Sequence, residues 1–196
     1  NRQRSFDTGQ GRRKKKFIFS TASILFIIMM MKSISKNIEN FLEQHALLLP
    51  SQTYLVGFSG GYDSLCLVDI MNNFSQKYGF KIVAIHLNHN WRAEESAKEE
   101  LNAKKYCENR NIEFYAETLS SDIPKTETAA REQRYTFFER MSLKYNANAI
   151  FTGHTKTDNI ETIIYRILKG TGINGLQGIP EIRMLNSIPV YRPMLD

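Results

Sequence analysis

The sequence predicts an α/β protein: a doubly wound, mostly parallel five-stranded sheet with helices on both faces. Three observations predict it. Short apolar runs alternate with longer segments of helical periodicity from about residue 54 onward, the order expected of strands and crossover helices. Clusters of glycine and small polar residues follow the first, second and fourth apolar runs, and open α/β sheets bind ligands at the carboxyl ends of their strands. No internal repeat or low-complexity linker interrupts residues 37–196.

The elements follow in order. Ile34, Ile38, Phe41 and Leu42 stand at helical spacing, which predicts a helix over residues 34–48 ended by Pro50. Residues 54–58 are a short apolar strand. Leu65, Val68 and Met71 put one apolar side on a helix over 64–74. Ile82, Val83 and Ile85 mark a strand over 81–87, followed by a charged surface helix over 93–110 and a third strand over 113–119. Phe137, Phe138 and Met141 lie on a helix over 127–145. A fourth strand is expected at 149–152, a helix at 159–169 and a fifth strand at 188–191.

Length allows one domain plus an extension, and about 150 residues bury a core without disulfide or metal staples. The net charge of +6 is uneven: the first 36 residues hold nine basic residues and one acid, Asp7, while the remainder holds 17 basic and 19 acidic residues. The basic balance therefore belongs to the tail and does not by itself mark the folded part as a nucleic-acid binder. Cys66 and Cys107 are the only cysteines. Without a CxxC pair they suggest neither a zinc ribbon nor an iron–sulfur site, and they read as reduced thiols in a reducing compartment.

Residues 1–31 form a basic and apolar N-terminal extension, set apart from the domain expected over residues 32–196. The basic cluster at 12–16 and the apolar run at 17–31 resemble a leader's charged and hydrophobic regions without a clear cleavage site. That run is shorter than the ~20 residues needed to cross a bilayer. The reading adopted is a non-native upstream segment with translation starting near Met29, Met30 or Met31; a targeting leader or membrane anchor is the alternative. Abundant Ile, Asn and Lys point towards an AT-rich genome such as an organelle's.

The first turn reads Gly57-Phe58-Ser59-Gly60-Gly61-Tyr62-Asp63-Ser64. Adjacent glycines let the backbone turn tightly and bring its N–H groups to an anion. Ser59 and Ser64 add hydroxyls, and the next helix aims its positive end at the same place. Asp63 would repel a phosphate there unless a cation such as Mg2+ shared the site. Neither GxxxxGK[ST] nor GxGxxG is present. The second turn, His86-Leu87-Asn88-His89-Asn90-Trp91-Arg92, carries two histidines three apart and no evident third metal ligand. Arg131 and Arg134 are neighbours on one helix face, suited to phosphate or to a base edge.

The third turn runs from Thr152 through Gly153, His154, Thr155, Lys156, Thr157 and Asp158 to Glu161. Periodicity predicts that the helix beyond it buries Ile160, Ile163, Ile164, Ile167 and Leu168 and turns Asp158 and Glu161 together towards the site. A capping box with Asp158 as N-cap and Glu161 three later accounts for the same pair structurally. A glycine-rich stretch over 170–178 and Arg192-Pro193-Met194-Leu195 close the chain.

The string SGGYDS resembles the signature of the PP-loop ATP pyrophosphatase superfamily, whose members split ATP between its α and β phosphates. With HLNHNWR, TAAREQRY, GHTKTDNIET, KGTGINGLQGI and RPML in order, the chain is similar to the tRNA(Ile)-lysidine synthetase family from about residue 55 to 195. Asn88, Asn90, Thr155 and Thr157 depart from that family's commoner residues. The resemblance implies a PP-loop fold of the adenine nucleotide α-hydrolase type. It also implies a ligase that adenylates the wobble cytidine of a tRNA(Ile) with a CAU anticodon and joins free L-lysine to it, releasing AMP and pyrophosphate. It places Ser59, Gly60, Gly61, Tyr62, Asp63 and Ser64 on ATP, with Mg2+ at Asp63. Asp158 and Glu161 would hold the lysine ammonium, Arg131 would meet developing negative charge, and His154 would move a proton or touch the nucleotide. A plastid or a bacterial-type cytoplasm is the implied location. The rival readings are a PP-loop tRNA thiolase and a nucleotide-binding remnant without activity.

Overall fold

The computed structural model describes residues 21–91, 93–120, 122–172 and 176–195. Most of the basic N-terminal segment, Arg92 of the second turn and residues 173–175 of the glycine-rich stretch therefore lie outside the described residues. The chain divides into two compact units, Asn1–Ser33 and Ile34–Asp196. No helix among the described residues is long and apolar enough to cross a membrane.

Six strands form one sheet in the order β3-β2-β1-β4-β6-β5. β1 (Thr53–Gly57), β2 (Lys81–Asn88), β3 (Glu113–Thr118), β4 (Ala149–Thr152) and β6 (Ile188–Tyr191) are mutually parallel where they pair. β5 (Ile182–Leu185) runs antiparallel to β6. The order reverses between β1 and β4, the switch point at which such sheets open a crevice.

The near-continuous apolar runs are explained by burial on both faces. Tyr54, Val56, Ile82, Ala84 and Phe151 point to one face. They pack there with Ile38, Phe41 and Leu42 of α1 (Thr21–Gln44), with α2 (Tyr62–Tyr78) and with α3 (Ala93–Glu108). Leu55, Val83, Ile85 and Ile150 point to the other, against Phe137, Phe138 and Met141 of α4 (Glu127–Lys144). Period-two alternation thus assigns the central strand residues to one or other of two cores.

Three expectations are corrected. The sheet has six strands, because residues 182–185 turn back on β6 as a hairpin in which Leu185 faces Ile188 across Asn186, at φ 51°. Two-residue hairpin loops favour residues that accept such a φ, Asn among them. The first helix begins well before residue 34 and stops at Gln44. Ala46 turns left-handed (φ 52°) and Leu47 N–H donates to the Leu42 carbonyl at 2.8 Å, a Schellman-type end that stops the helix before Pro50 is reached. Finally, α5 (Lys156–Leu168) buries none of its residues, and Ile160, Ile164, Ile167 and Leu168 are all at least half exposed. Periodicity defines an apolar face; it does not supply the surface that covers it.

Candidate active site

The turns after β1, β2 and β4 meet at the carboxyl end of the sheet around a cavity of about 460 Å³. Its wall includes Ser59, Gly61, Asp63 and Ser64 from the first turn, His86 and His89 from the second, and Gly153, His154 and Asp158 from the third. The three polar clusters that stood apart in sequence thus form one site.

The glycine loop is held by its own serines. Ser64, only 6% exposed, donates its hydroxyl to the Gly61 carbonyl at 2.9 Å and accepts the Ser59 N–H at 3.2 Å. The two hydroxyls lie 3.1 Å apart. Gly60 holds φ at +89°, where an L side chain is strained, and a Cβ there would touch Glu99 of α3. Gly61 is the N-cap of α2 and makes no side-chain capping bond. The first N–H groups of α2 are thus left facing the cavity with no capping side chain, the arrangement that binds phosphates. Asp63 is exposed at the same place.

Gly153 sits against this loop. A Cβ on it would lie 3.1 Å from Ser64 N and Cα, so a larger residue would push the turn after β4 and α2 apart by a few tenths of an ångström. This close approach couples the first turn to the third.

α5 begins differently from expectation. Thr155 is its N-cap and Asp158 its third residue. Thr155 N–H donates to Asp158 Oδ2 at 2.7 Å, and Asp158 N–H lies 3.4 Å from Thr155 Oγ1. The capping box is therefore Thr155 with Asp158, and Glu161 has no part in it. The reason is the helix start: with Lys156 as first helical residue, Thr-x-x-Asp fits the box better than Asp-x-x-Glu. Asp158 lines the cavity with one oxygen committed to the cap. Glu161, one turn further along, is exposed and outside the cavity wall.

His154 lies over the fourth strand with Nδ1 2.9 Å from Thr152 Oγ1. Burial and the Arg192 and Arg134 guanidiniums push its imidazole down to about 4. It is neutral at pH 7, and its surroundings disfavour a proton on it. Arg134 lines the cavity, whereas Arg131 stands exposed outside it, its guanidinium 5.4 Å from the Tyr135 ring centre.

Several participants were given no part in the site from the sequence, or were read there only as a histidine pair and a polar strand end. His86 is 3% exposed, its Nδ1 lies 2.6 Å from the Phe58 carbonyl, and its buried Nε2 has no partner. In the neutral ring that carbonyl fixes the hydrogen on Nδ1 and leaves Nε2 as an acceptor. Ser96 and Glu99 of α3 and Phe138 of α4 complete the wall. Asn88 donates to Glu100 at 3.0 Å and pins α3 to the sheet. No sequence signal gives Ser96, Glu99, Glu100 or Phe138 a part in the site, because their roles depend on what the fold places opposite them. Cys107 is fully buried, its thiol pushed up to about 11 by burial, and Cys66 is raised by the same cause. Both thiols stay protonated at neutral pH and serve as small apolar side chains.

A family model described as PP-loop domain matches residues 30–196. A tRNA(Ile)-lysidine synthase from Clostridium acetobutylicum is 37% identical over 152 residues, covering 74% of this chain and 32% of its own length. One from Nostoc is 37% identical over 143 residues, covering 72% and 41%. A chloroplastic one from Zygnema circumcarinatum is 34% identical over 155 residues, covering 79% and 36%. The chain thus spans between about a third and two fifths of the length of these relatives. Among solved structures, a U34-tRNA thiolase from Methanococcus maripaludis superposes with a TM-score of 0.68 at 17% identity, covering 84% of this chain and 58% of that one. At that identity the likeness extends to the fold alone.

Proposed function

Because the chain belongs to the PP-loop family, we propose that it is the ATP-dependent catalytic part of a tRNA(Ile)-lysidine synthase. One observation carries this reading. The glycine loop and the β4–α5 turn share a cavity, in a chain over a third identical to enzymes of that name.

The chemistry follows from the residues. ATP lies with its β and γ phosphates against residues 59–64, under the uncapped end of α2. The C2 carbonyl oxygen of the wobble cytidine of a CAU-anticodon tRNA attacks the α phosphorus, and the bond to the bridging oxygen breaks to release pyrophosphate. The side-chain amine of free L-lysine then attacks C2, and AMP departs with the former carbonyl oxygen. Lysine sheds protons to solvent in this step, and neutral His154 contacts the nucleotide through its ring. Asp158 offers its uncommitted oxygen to the lysine ammonium. Glu161, more exposed, serves as a second carboxylate at the entrance. Arg134 faces the developing charge from the wall, with Arg131 one turn behind it at the rim.

Asp63 fits a magnesium ion. It is an exposed carboxylate beside the phosphate seat, with Glu99 of α3 against the same loop, and Mg2+ is commonly held by one or two carboxylates together with substrate phosphates. When bound, the ion supplies charge neutralisation to the phosphates. Bacterial and chloroplastic relatives support a bacterial-type cytoplasm or the plastid stroma as the place of work.

The test is incubation of the purified chain with labelled lysine, ATP, Mg2+ and CAU-anticodon tRNA(Ile). Label is expected at the wobble base, with one AMP formed per lysine. AMP release without lysine incorporation would point to another tRNA modification, and nucleotide binding without AMP to an inactive remnant.

A further inference from the structure

Beside the cavity, Tyr135 gathers guanidinium groups from three parts of the chain. Arg183 of β5 lies 4.4 Å from the ring centre and its Nη1 is 3.4 Å from the phenol oxygen. Arg192, after β6, reaches the same oxygen through Nη2 at 3.5 Å. Arg131 covers the ring from α4 at 5.4 Å. Among the described residues no carboxylate lies within ion-pair distance of any of the three. Arg192 is 2% exposed and its Nε is buried without a partner. Arg131 and Arg183 both oppose the charge on Arg192, and Arg131 also opposes protonation of His154.

Like charges gathered without an anion repel one another, and a buried guanidinium nitrogen without an acceptor is costly. The Tyr135 ring offsets part of that as a stacking platform. An anion arriving from solvent would relieve the rest. The geometry points to a seat for an RNA phosphodiester, formed by Arg131 and Arg183 on Tyr135, with the buried Arg192 adding its charge from behind. None of these three arginines lines the cavity, yet Arg134, one turn from Arg131, does. A ligand that fills both places must reach from the cavity over its rim. A polynucleotide does so when one base enters the cavity and a neighbouring phosphate stays outside. The ATP phosphates are already provided for at the glycine loop. The inference rests on the proposed RNA substrate and adds where its backbone is held.

The experiment measures binding of a labelled anticodon stem-loop RNA across a salt series. Each phosphate that a cationic side chain neutralises adds about 0.7–0.9 to the steepness of log K against log salt. Arg183→Gln and Arg131→Gln should each weaken binding several-fold and make the slope shallower by that amount. Lys104→Gln, on α3, should leave the slope alone, and Arg183→Gln should leave ATP affinity, measured without RNA, unchanged. A scrambled anticodon should show the same arginine dependence, since phosphate contacts carry no sequence. Arg131 is exposed, so its variant reports on the seat even if Arg183→Gln fails to fold. An unchanged slope in the Arg131 variant overturns the seat, as does a fall as large in Lys104→Gln, or a loss of ATP affinity in a folded Arg183→Gln. Absence of any RNA binding overturns it too. Lysine incorporation is read separately, so its failure would sink the proposed reaction while the slopes still judge the seat.

Discussion

Two helices begin at the same cavity and end their backbones there in opposite ways. α2 starts at Gly61, whose own N–H reaches Ser59 Oγ at 3.4 Å, with no capping side chain for the N–H groups that follow. α5 starts at Thr155 in a closed capping box, where Asp158 and Thr155 satisfy each other. An open helix start is a standing partial positive charge with donors to spare, suited to a polyanion. A closed start has spent its donors and offers a carboxylate oxygen instead, suited to an ammonium group. A binding site is therefore defined as much by the caps a sequence omits as by the residues it contains.

The contrast should vanish if the open end is closed. Gly61 sits at φ −78° and ψ 162°, a conformation any residue adopts, and a Cβ there meets only Ser59 Oγ at an ordinary 3.6 Å. Gly61→Asp should therefore fold and gain a few tenths of a kcal/mol from its new cap. Its carboxylate would occupy the phosphate seat, and ATP affinity should fall by on the order of 100-fold or more, since each ~1.4 kcal/mol of repulsion is tenfold. Calorimetric titration with ATP checks this, and undiminished affinity would mean that the β and γ phosphates lie elsewhere.

Such a test is possible because much of the site was legible in the sequence. The strands announced themselves as apolar runs because both faces of the sheet are buried, and the glycine loop followed because a tight turn before a helix has few other spellings. β5 was not legible. It has four residues, sits at the sheet edge and alternates exposure, so it carries neither a continuous apolar run nor a long period. The cap of α5 was misplaced by three residues because Thr155 and Asp158 both suit an N-cap and both have an acid three residues on; only the observed start of the helix chooses between them. The apolar residues of α5 were expected in a core, yet four lie exposed and Ile163 is half-buried, since periodicity names a face and says nothing of its partner. Arg183 carried no signal, and Arg192 was quoted within RPML without a role, because the destination of a long side chain depends on tertiary packing.

A change of pH probes the electrostatic side of the same contrast. His154 stands near the closed start, among guanidiniums, and titrates at about 4 instead of 6.5. Between those values the unfolded chain binds a proton that the folded chain refuses. Stability from this group is therefore full above pH 6.5 and is lost as pH falls towards 4. The loss between pH 7 and pH 5 is about 2 kcal/mol at most before solvent screening. Urea denaturation of the parent and of His154→Gln at both pH values isolates it: the parent should lose more than the variant. Equal losses would show that burial and the neighbouring arginines do not hold the ring neutral.

The mildest change is expected at the closed end. Thr155→Ala removes the hydroxyl that caps α5 while leaving Asp158 able to accept the backbone N–H at position 155. The helix start should loosen by about 1 kcal/mol, read as a lower urea midpoint with an unchanged slope. ATP affinity should stay as it was, because the freed donors lie at α5 and the phosphates at α2. The lysine requirement should rise modestly, since Asp158 loses one of the two bonds that orient it. If Thr155→Ala instead tightened ATP, the second helix would be shown to compete for the phosphates, and the division of labour between the two helix starts would fail.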